Sequence, residues 1–246
     1  MKTGFHYTPQ ELMAVIMARE IKNKETICVG TLSPIPAAGA WLARENHAPD
    51  IRLAILGSWE WPFNDGTAEF FDLIQRGNCD LFFLSGAQID KRANINLHTV
   101  GSYDSPRVRL PGGAGSAMVY YMARRTILFR MEHSSRSLVE KVDFITAAGS
   151  NNPEPGILRR GWPSLLVTPL AVFQYDVGVG ELILKNIHPG VRYEDVKQKT
   201  GWLLDTVEIA PTPPPTKEEL TCLRTVVKDN MFKLYPDFTA QYIGLP

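Results

Sequence analysis

Backbone N–H groups converging on one point form a simple anion trap, and the run Pro111-Gly112-Gly113-Ala114-Gly115-Ser116-Ala117 is built to provide one. Its glycines let the main chain approach a phosphate or an oxyanion closely, and a helix is expected from there to about Arg124. The run is neither GxGxxG nor a P-loop, because no Lys-Ser or Lys-Thr pair follows the glycines. A tight helix-entry turn chosen for backbone geometry explains the same residues. Glu60, between Trp59 and Trp61, is the most suggestive carboxylate. Aromatic flanks that desolvate a carboxyl raise its pKa, as a general acid or base requires; a solvent-facing loop residue is the other reading. His6, His47, His98, His133 and His188 lie far apart with no i,i+4 pair, so no metal site is expected. His98, in a strand-like segment, reads as a core or rim residue. No GxSxG elbow of a serine hydrolase is present. Arg124-Arg125, Arg136 and Arg159-Arg160 suit either phosphate groups or solvated faces.

The elements that must hold these residues follow a repeating pattern. Thr8-Pro9-Gln10-Glu11 is a helix start with a capping box. The runs 26–30 and 53–57 are short, continuously apolar and end on glycine, and 79–84 is a third such strand before Gly86. They alternate with helical segments at 37–46 and 67–76. This predicts parallel strands covered on both faces: an open, mostly parallel, three-layer α/β sheet. Ligands bind such sheets beyond the carboxyl ends of the strands. The loops after Gly30, Gly57 and at Gly86 therefore make Ser33, Ser58, Gly86 and Gln88 candidate substrate-binding residues. Further strands are expected at 95–101, 126–131, 142–146, 165–168, 171–175 and 181–187, with a Pro/Gly/Asn-rich surface loop over 151–163. A helix at 193–199 follows. Pro211, Pro213, Pro214 and Pro215 form a stiff linker before a last helix at 217–228. The expected organisation is one α/β domain, 1–210, with 211–246 packed on it.

Composition narrows the function classes. The chain has 246 residues, 26 Lys+Arg against 26 Asp+Glu, and 44% hydrophobic residues. That balance argues against a basic nucleic-acid binder, a polybasic membrane-surface protein and a disordered chain. Little charge repulsion makes association with partners plausible. Cys28, Cys79 and Cys222 form no CxxC pair and read as free thiols. The opening residues lack the apolar stretch of a signal peptide. The segment 164–184 is broken by Pro169, Gln174 and Asp176, so no membrane span is expected. A soluble, cytoplasmic protein is the expectation.

With these segments laid out, the chain resembles the B (β) subunits of the family I CoA-transferases, of the glutaconate CoA-transferase type. The matching stretches are Ala48-Pro49-Asp50, Gly86-Ala87-Gln88-Ile89-Asp90, Asn94-Ile95-Asn96 and Gly101-Ser102-Tyr103. Pro106, Arg109, Gly112-Gly113-Ala114 and Glu140-Lys141-Val142-Asp143-Phe144-Ile145-Thr146 continue in the same order. His188-Pro189-Gly190-Val191, Asp195-Val196 and Thr200-Gly201 complete it.

The resemblance implies an open α/β fold and an A (α) subunit partner in a hetero-oligomer such as α2β2, with the active site between the two. It implies an acyl-CoA substrate of the glutaconate or 3-oxoacid class. No cofactor is permanently bound, and coenzyme A enters with the substrate. In such transferases a β-subunit glutamate attacks the thioester, passing through an anhydride to a glutamyl-CoA thioester. Gly112, Gly113 and Ala114 would supply backbone donors to the oxyanion. The family's glutamate sits at the end of the second strand, in a Glu-Ser-Gly or Glu-Asn-Gly context. This sequence has Leu56-Gly57-Ser58 there, and leucine cannot form an anhydride. Three readings follow. Transfer persists with Glu60 or another carboxylate as nucleophile; or acyl-CoA binding persists without transfer, as in ring-opening hydrolases of steroid breakdown or glutaconyl-type decarboxylases; or the chain is a non-catalytic partner. The first gives the family label: a CoA-transferase-family subunit acting on an acyl-CoA.

Overall fold

The computed structural model describes residues 6–149, 157–204 and 209–244. Residues 151–156 of the loop expected over 151–163 lie outside the described residues, as do the first five. In chain order come α1 (Pro9–Arg19), β1 (Thr26–Val29), α2 (Pro34–Asn46), β2 (Arg52–Ile55), α3 (Thr67–Gln75) and β3 (Leu81–Leu84). Then follow β4 (Gln88–Asp90), β5 (Ile95–Asn96), β6 (Thr99–Gly101), β7 (Pro106–Arg109), α4 (Ser116–Met122), β8 (Arg125–Phe129) and β9 (Leu138–Val139). The remainder comprises β10 (Trp162–Val167), β11 (Ala171–Asp176), β12 (Glu181–Ile187), α5 (Tyr193–Lys199), β13 (Ala210–Pro211) and α6 (Lys217–Cys222). A π-helical turn, Leu223–Val227, joins α6 to α7 (Lys228–Leu234), and α8 (Pro236–Tyr242) ends the described chain. Contacts divide the chain into two units, one of Met1–Phe63 with Pro213–Pro246 and one of Asn64–Thr212. No helix among the described residues is long and apolar enough to cross a membrane.

In the first unit β1 is buried at all four positions and runs parallel to β2, with Thr26 opposite Arg52 and Val29 opposite Ile55. A strand covered on both faces has no polar side to show, which is why its sequence does not alternate. α2 begins at Pro34, three residues earlier than expected, because a proline at the first helical position sacrifices no hydrogen bond. α1 and α2 meet at Gly39, where a Cβ would stand 2.9 Å from the Ala14 carbonyl oxygen. The capping box of α1 forms as expected: Thr8 Oγ1 accepts from Glu11 N–H at 3.1 Å, and the Glu11 carboxylate accepts from Thr8 N–H at 2.9 Å. The same device starts α6 with Thr216 and Glu219. The final helical run continues beyond Lys228 through α7, since no breaker intervenes before Pro236.

The second unit holds a mixed sheet of order β3-β8-β10-β11-β12-β13. β3, β8 and β10 are mutually parallel, β10, β11 and β12 antiparallel, and β13 is parallel to β12. β3 is fully buried, whereas Leu182, Ile183 and Leu184 of β12 alternate between buried and exposed. Two expected strands fail for local reasons. The segment 95–101 breaks because Asn96 Oδ1 accepts the N–H groups of His98 (3.0 Å) and Thr99 (3.3 Å), an Asx-type turn that replaces the ladder. The segment 142–146 forms no strand: Asp143 accepts from Gly101 N–H and Thr146 Oγ1 from Leu97 N–H, and Thr146 N–H donates to the Ile95 carbonyl at 2.9 Å.

Candidate active site

In the second unit the glycine-rich turn leads into α4. Gly112 takes φ +99° and Ala114 φ +44°, a left-handed conformation uncommon for alanine that tends to mark functional sites. Gly112 N–H is spent on the Leu97 carbonyl at 2.9 Å, so it does not face a ligand. The N–H groups of Gly113, Ala114 and Gly115 have no acceptor among the described residues. Of the three expected oxyanion donors, Gly113 and Ala114 are therefore available and Gly112 is not; Gly115 joins them. Side chains at the two glycines would crowd their neighbours. A Cβ on Gly113 would stand 2.5 Å from Thr146 Cγ2 and 2.9 Å from Ser116 Oγ, and one on Gly115 would stand 2.3 Å from the Phe71 ring. Ser116 Oγ is buried with no hydrogen-bond partner among the described residues.

Gly86 and Gln88 belong to the framework that supports this turn. A Cβ on Gly86 would meet the Gln88 carbonyl oxygen at 2.9 Å. Gln88 is buried, and both ends of its amide are occupied: Nε2 donates to Asp143 (3.0 Å), while Oε1 accepts from Asn96 Nδ2 (2.7 Å) and Asp143 N–H (3.0 Å). These bonds tie Gln88 to Asn96 and Asp143. Asp90 is buried beside it, accepting from Asn94, Arg92 and Val142. Burial, the largest influence, lifts its carboxyl above the usual value despite those donors.

In the first unit, β2 is followed by half-buried Leu56, by Gly57 at φ +88° and by buried Ser58. Ser58 Oγ accepts from Glu60 N–H at 3.1 Å. Ser33 is buried, donating from Oγ to the Thr31 carbonyl at 3.2 Å. Glu60 does not have the raised pKa expected from its tryptophan flanks. Burial alone would raise it, but Arg44 and Trp41 hydrogen bonds and the Lys233 charge together hold the carboxyl below its ordinary value. Arg44 grips both oxygens, Nη1 to Oε2 at 3.0 Å and Nη2 to Oε1 at 3.2 Å, and the Trp41 indole donates to Oε2 at 3.2 Å. Trp59 stacks on Trp41 with centroids 5.6 Å apart, and the Lys233 ammonium lies 4.8 Å from the Trp59 ring centre.

Ser58 and Glu60 thus come together in one unit, and Gly86, Gln88 and the glycine turn in the other. His98 and Thr146 join the turn although spacing gave no sign of them: His98 Nδ1 lies 2.7 Å from Thr146 Oγ1. Only the fold brings together residues 48 positions apart. Among the described residues no group of three His, Cys, Asp or Glu is placed to hold a metal. Arg159 lies over the Tyr121 and Trp162 rings at 4.5 and 4.6 Å, and Arg136 pairs with Glu132 at 2.8 Å.

A family model described as Coenzyme A transferase matches residues 59–199. The chain is 32% identical to a 3-oxoadipate CoA-transferase subunit of Pseudomonas knackmussii, over 89% of this chain and 93% of the relative. Its fold is similar to that of Rhodococcus jostii RHA1 IpdAB, with a TM-score of 0.81 at 21% identity, covering 98% of this chain and 100% of that one. The decarboxylase AibA/AibB gives a TM-score of 0.78 at 23% identity, with 98% and 100% coverage. The likenesses define a three-layer α/β fold with a mixed sheet flanked by helices.

Proposed function

From the premise that this chain belongs to the coenzyme A transferase family, we propose that it is the β subunit of a heteromeric enzyme converting an acyl-CoA thioester without forming an acyl-glutamate on this chain. The observation carrying this reading is at the end of β2. Leu56 stands there, and the carboxylate nearest in sequence, Glu60, is clamped by Arg44 and Trp41. A nucleophilic carboxylate needs a lone pair clear of strong donors, and neither Glu60 oxygen is clear. What the chain does offer is electrostatic. N–H groups at Gly113, Ala114 and Gly115, without an acceptor among the described residues, suit the negative charge that gathers on a thioester carbonyl oxygen when water attacks it, or when the adjacent carbon becomes carbanionic. Hydrolysis and decarboxylation of an acyl-CoA both need that stabilisation and neither needs the anhydride. The similarity to AibA/AibB, a decarboxylase, supports a reaction of this kind.

The test uses the chain purified with its α subunit and offers glutaconyl-CoA and 3-oxoadipyl-CoA as probes. Free CoA or CO₂ is expected with no carboxylate acceptor present, and borohydride or hydroxylamine should trap no glutamate on this chain. A strict requirement for an acceptor, or a trapped glutamate here, overturns the reading. Transfer is the second reading, favoured by the identity to the 3-oxoadipate CoA-transferase subunit. It needs a carboxylate from elsewhere than position 56.

A further inference from the structure

We propose that His98 is a catalytic hydrogen-bond donor, its Nε2–H binding the carbonyl oxygen of an acyl-CoA thioester seated at the 113–115 turn. The inference rests on the functional reading above and adds a side chain to a site otherwise made of backbone. Its first support is tautomeric. Thr146 Oγ1 already accepts the Leu97 N–H at 2.8 Å, and it stands 2.7 Å from His98 Nδ1. The hydroxyl has one proton to give. Directed to Nδ1, it leaves the imidazole proton on Nε2. The opposite arrangement would leave the Thr146 proton with no acceptor among the described residues.

The second support is position. Asn96 turns the chain by accepting the His98 and Thr99 N–H groups, and the ring that follows faces the glycines. His98 Nε2 is 3.8 Å from where a Gly112 Cβ would stand, and Cε1 is 3.5 Å from the corresponding point on Gly113. Nε2 itself has no hydrogen-bond partner among the described residues. The third is rigidity. The ring packs on Phe144 with centroids 4.7 Å apart, Phe144 stacks on Tyr103 at 5.1 Å, and Arg109 lies over Tyr103 at 4.9 Å. An N–H held in this way donates to developing negative charge without reorganising, the condition under which one donor matters most.

The experiment compares the wild-type complex with His98→Phe, His98→Gln and His98→Ala, again with glutaconyl-CoA and 3-oxoadipyl-CoA. Phenylalanine keeps the packing on Phe144 and loses the donor; glutamine places an amide N–H near the Nε2 position and loses the ring. Loss of one oxyanion donor should lower kcat by about 10²–10³-fold in the Phe and Ala variants, with KM little changed. Glutamine should recover most of that loss. Melting temperatures report packing separately. His98→Phe turning over like wild type, or Gln falling as far as Phe, overturns the inference and leaves the acyl-CoA reading standing. A wild-type complex that converts neither thioester, while binding its α subunit, overturns the reading and the inference together.

Discussion

A carboxylate attacks a thioester with a lone pair, and Arg44 and Trp41 occupy three of the four lone-pair positions of Glu60 in hydrogen bonds of 3.0 to 3.2 Å. The role left to this side chain is to tie the loop after β2 to α2. Glu60→Gln keeps one acceptor oxygen and loses the charge pairing. It should leave kcat within a few-fold and lower stability by about 1 kcal/mol or less, as expected for a pair whose side chains are 24% and 35% exposed. Turnover assays and urea melts of the same complex check both halves; abolition of activity would restore Glu60 as a nucleophile. The sequence places Trp59 and Trp61 beside this carboxylate, which suggests desolvation and a raised pKa. The partners that reverse that sign, Trp41 and Arg44, sit 19 and 16 residues upstream on another element, beyond any local pattern. His98 is invisible for the same reason. Its significance comes from Thr146 and from the turn that Asn96 makes, and neither is encoded at a readable spacing.

Elements are fastened by residues that serve twice. Glu11 completes the capping box of α1 and also receives Arg224 from the π-helical turn, Nε to Oε1 at 2.8 Å and Nη2 to Oε2 at 2.9 Å, with Gly244 N–H adding a second donor to Oε1 at 3.0 Å. Glu219 completes the box of α6 and receives Arg19 from α1 at 2.7 Å on each oxygen. The two pairs are crossed in sign, acid on α1 and base on the C-terminal run in one, the reverse in the other, which fixes register as well as contact. Glu11 is fully buried, so Arg224→Met strands a charge. Loss of one partner of a fully buried pair costs about 3–5 kcal/mol, an upper bound here because Arg224 is 28% exposed and Thr8 and Gly244 N–H stay on the carboxylate. The Arg224→Met/Glu11→Gln double variant should regain a substantial part of it, because the neutral amide no longer needs a counter-charge. Denaturant titrations of the three chains decide; equal stability of single and double variants would show that Glu11 is not stranded. Legibility follows sequence distance here too. The capping boxes at Thr8 and Thr216 span three residues; the box at Thr8 is readable, and so are β1 and β3, whose burial on both faces leaves an unbroken apolar run. The pairing of Glu11 with Arg224 spans 213 residues and has no local signature. Between these extremes lies 95–101, whose apolar character suggests one strand until the Asn96 side chain, competing for its own neighbours' N–H groups, ends it after two residues.

For the whole molecule, formal neutrality removes a mutual repulsion that would oppose assembly with a second chain, and it shifts the burden of acid sensitivity to particular buried groups. Two are histidines of the second unit. His133 is enclosed by Thr168 Oγ1 (2.8 Å) and Thr200 Oγ1 (3.0 Å), and His188 by Thr212 Oγ1 (2.8 Å) and the Thr168 carbonyl (2.8 Å). None of these partners is a carboxylate that could offset the charge of an imidazolium, and burial pushes both rings down to about 4, with Lys199 adding to the effect on His133. The sign follows from linkage. Between pH 6.5 and 4 the unfolded chain takes up protons that the folded chain refuses, so stability falls as pH falls and levels off below about 4. At about 1.4 kcal/mol per pH unit over that window, each ring accounts for a loss of about 3 kcal/mol. Glu11, Glu60, Glu132 and Glu219, whose carboxyls are held below their ordinary value of 4.5, keep their contributions through most of this window and lose them only at lower pH. Asp90, raised by burial, works in the opposite direction, since the folded state takes its proton first. Comparing variants cancels that background. His133→Gln and His188→Gln should each be less stable at pH 8, where a satisfied ring is lost, yet each should flatten the decline between pH 6.5 and 4 by close to one proton's worth of slope. Urea titrations at half-unit pH steps measure it. A decline as steep in the variants as in the wild type would mean that the acid sensitivity resides in other groups, and that the threonine cages do not keep these rings neutral.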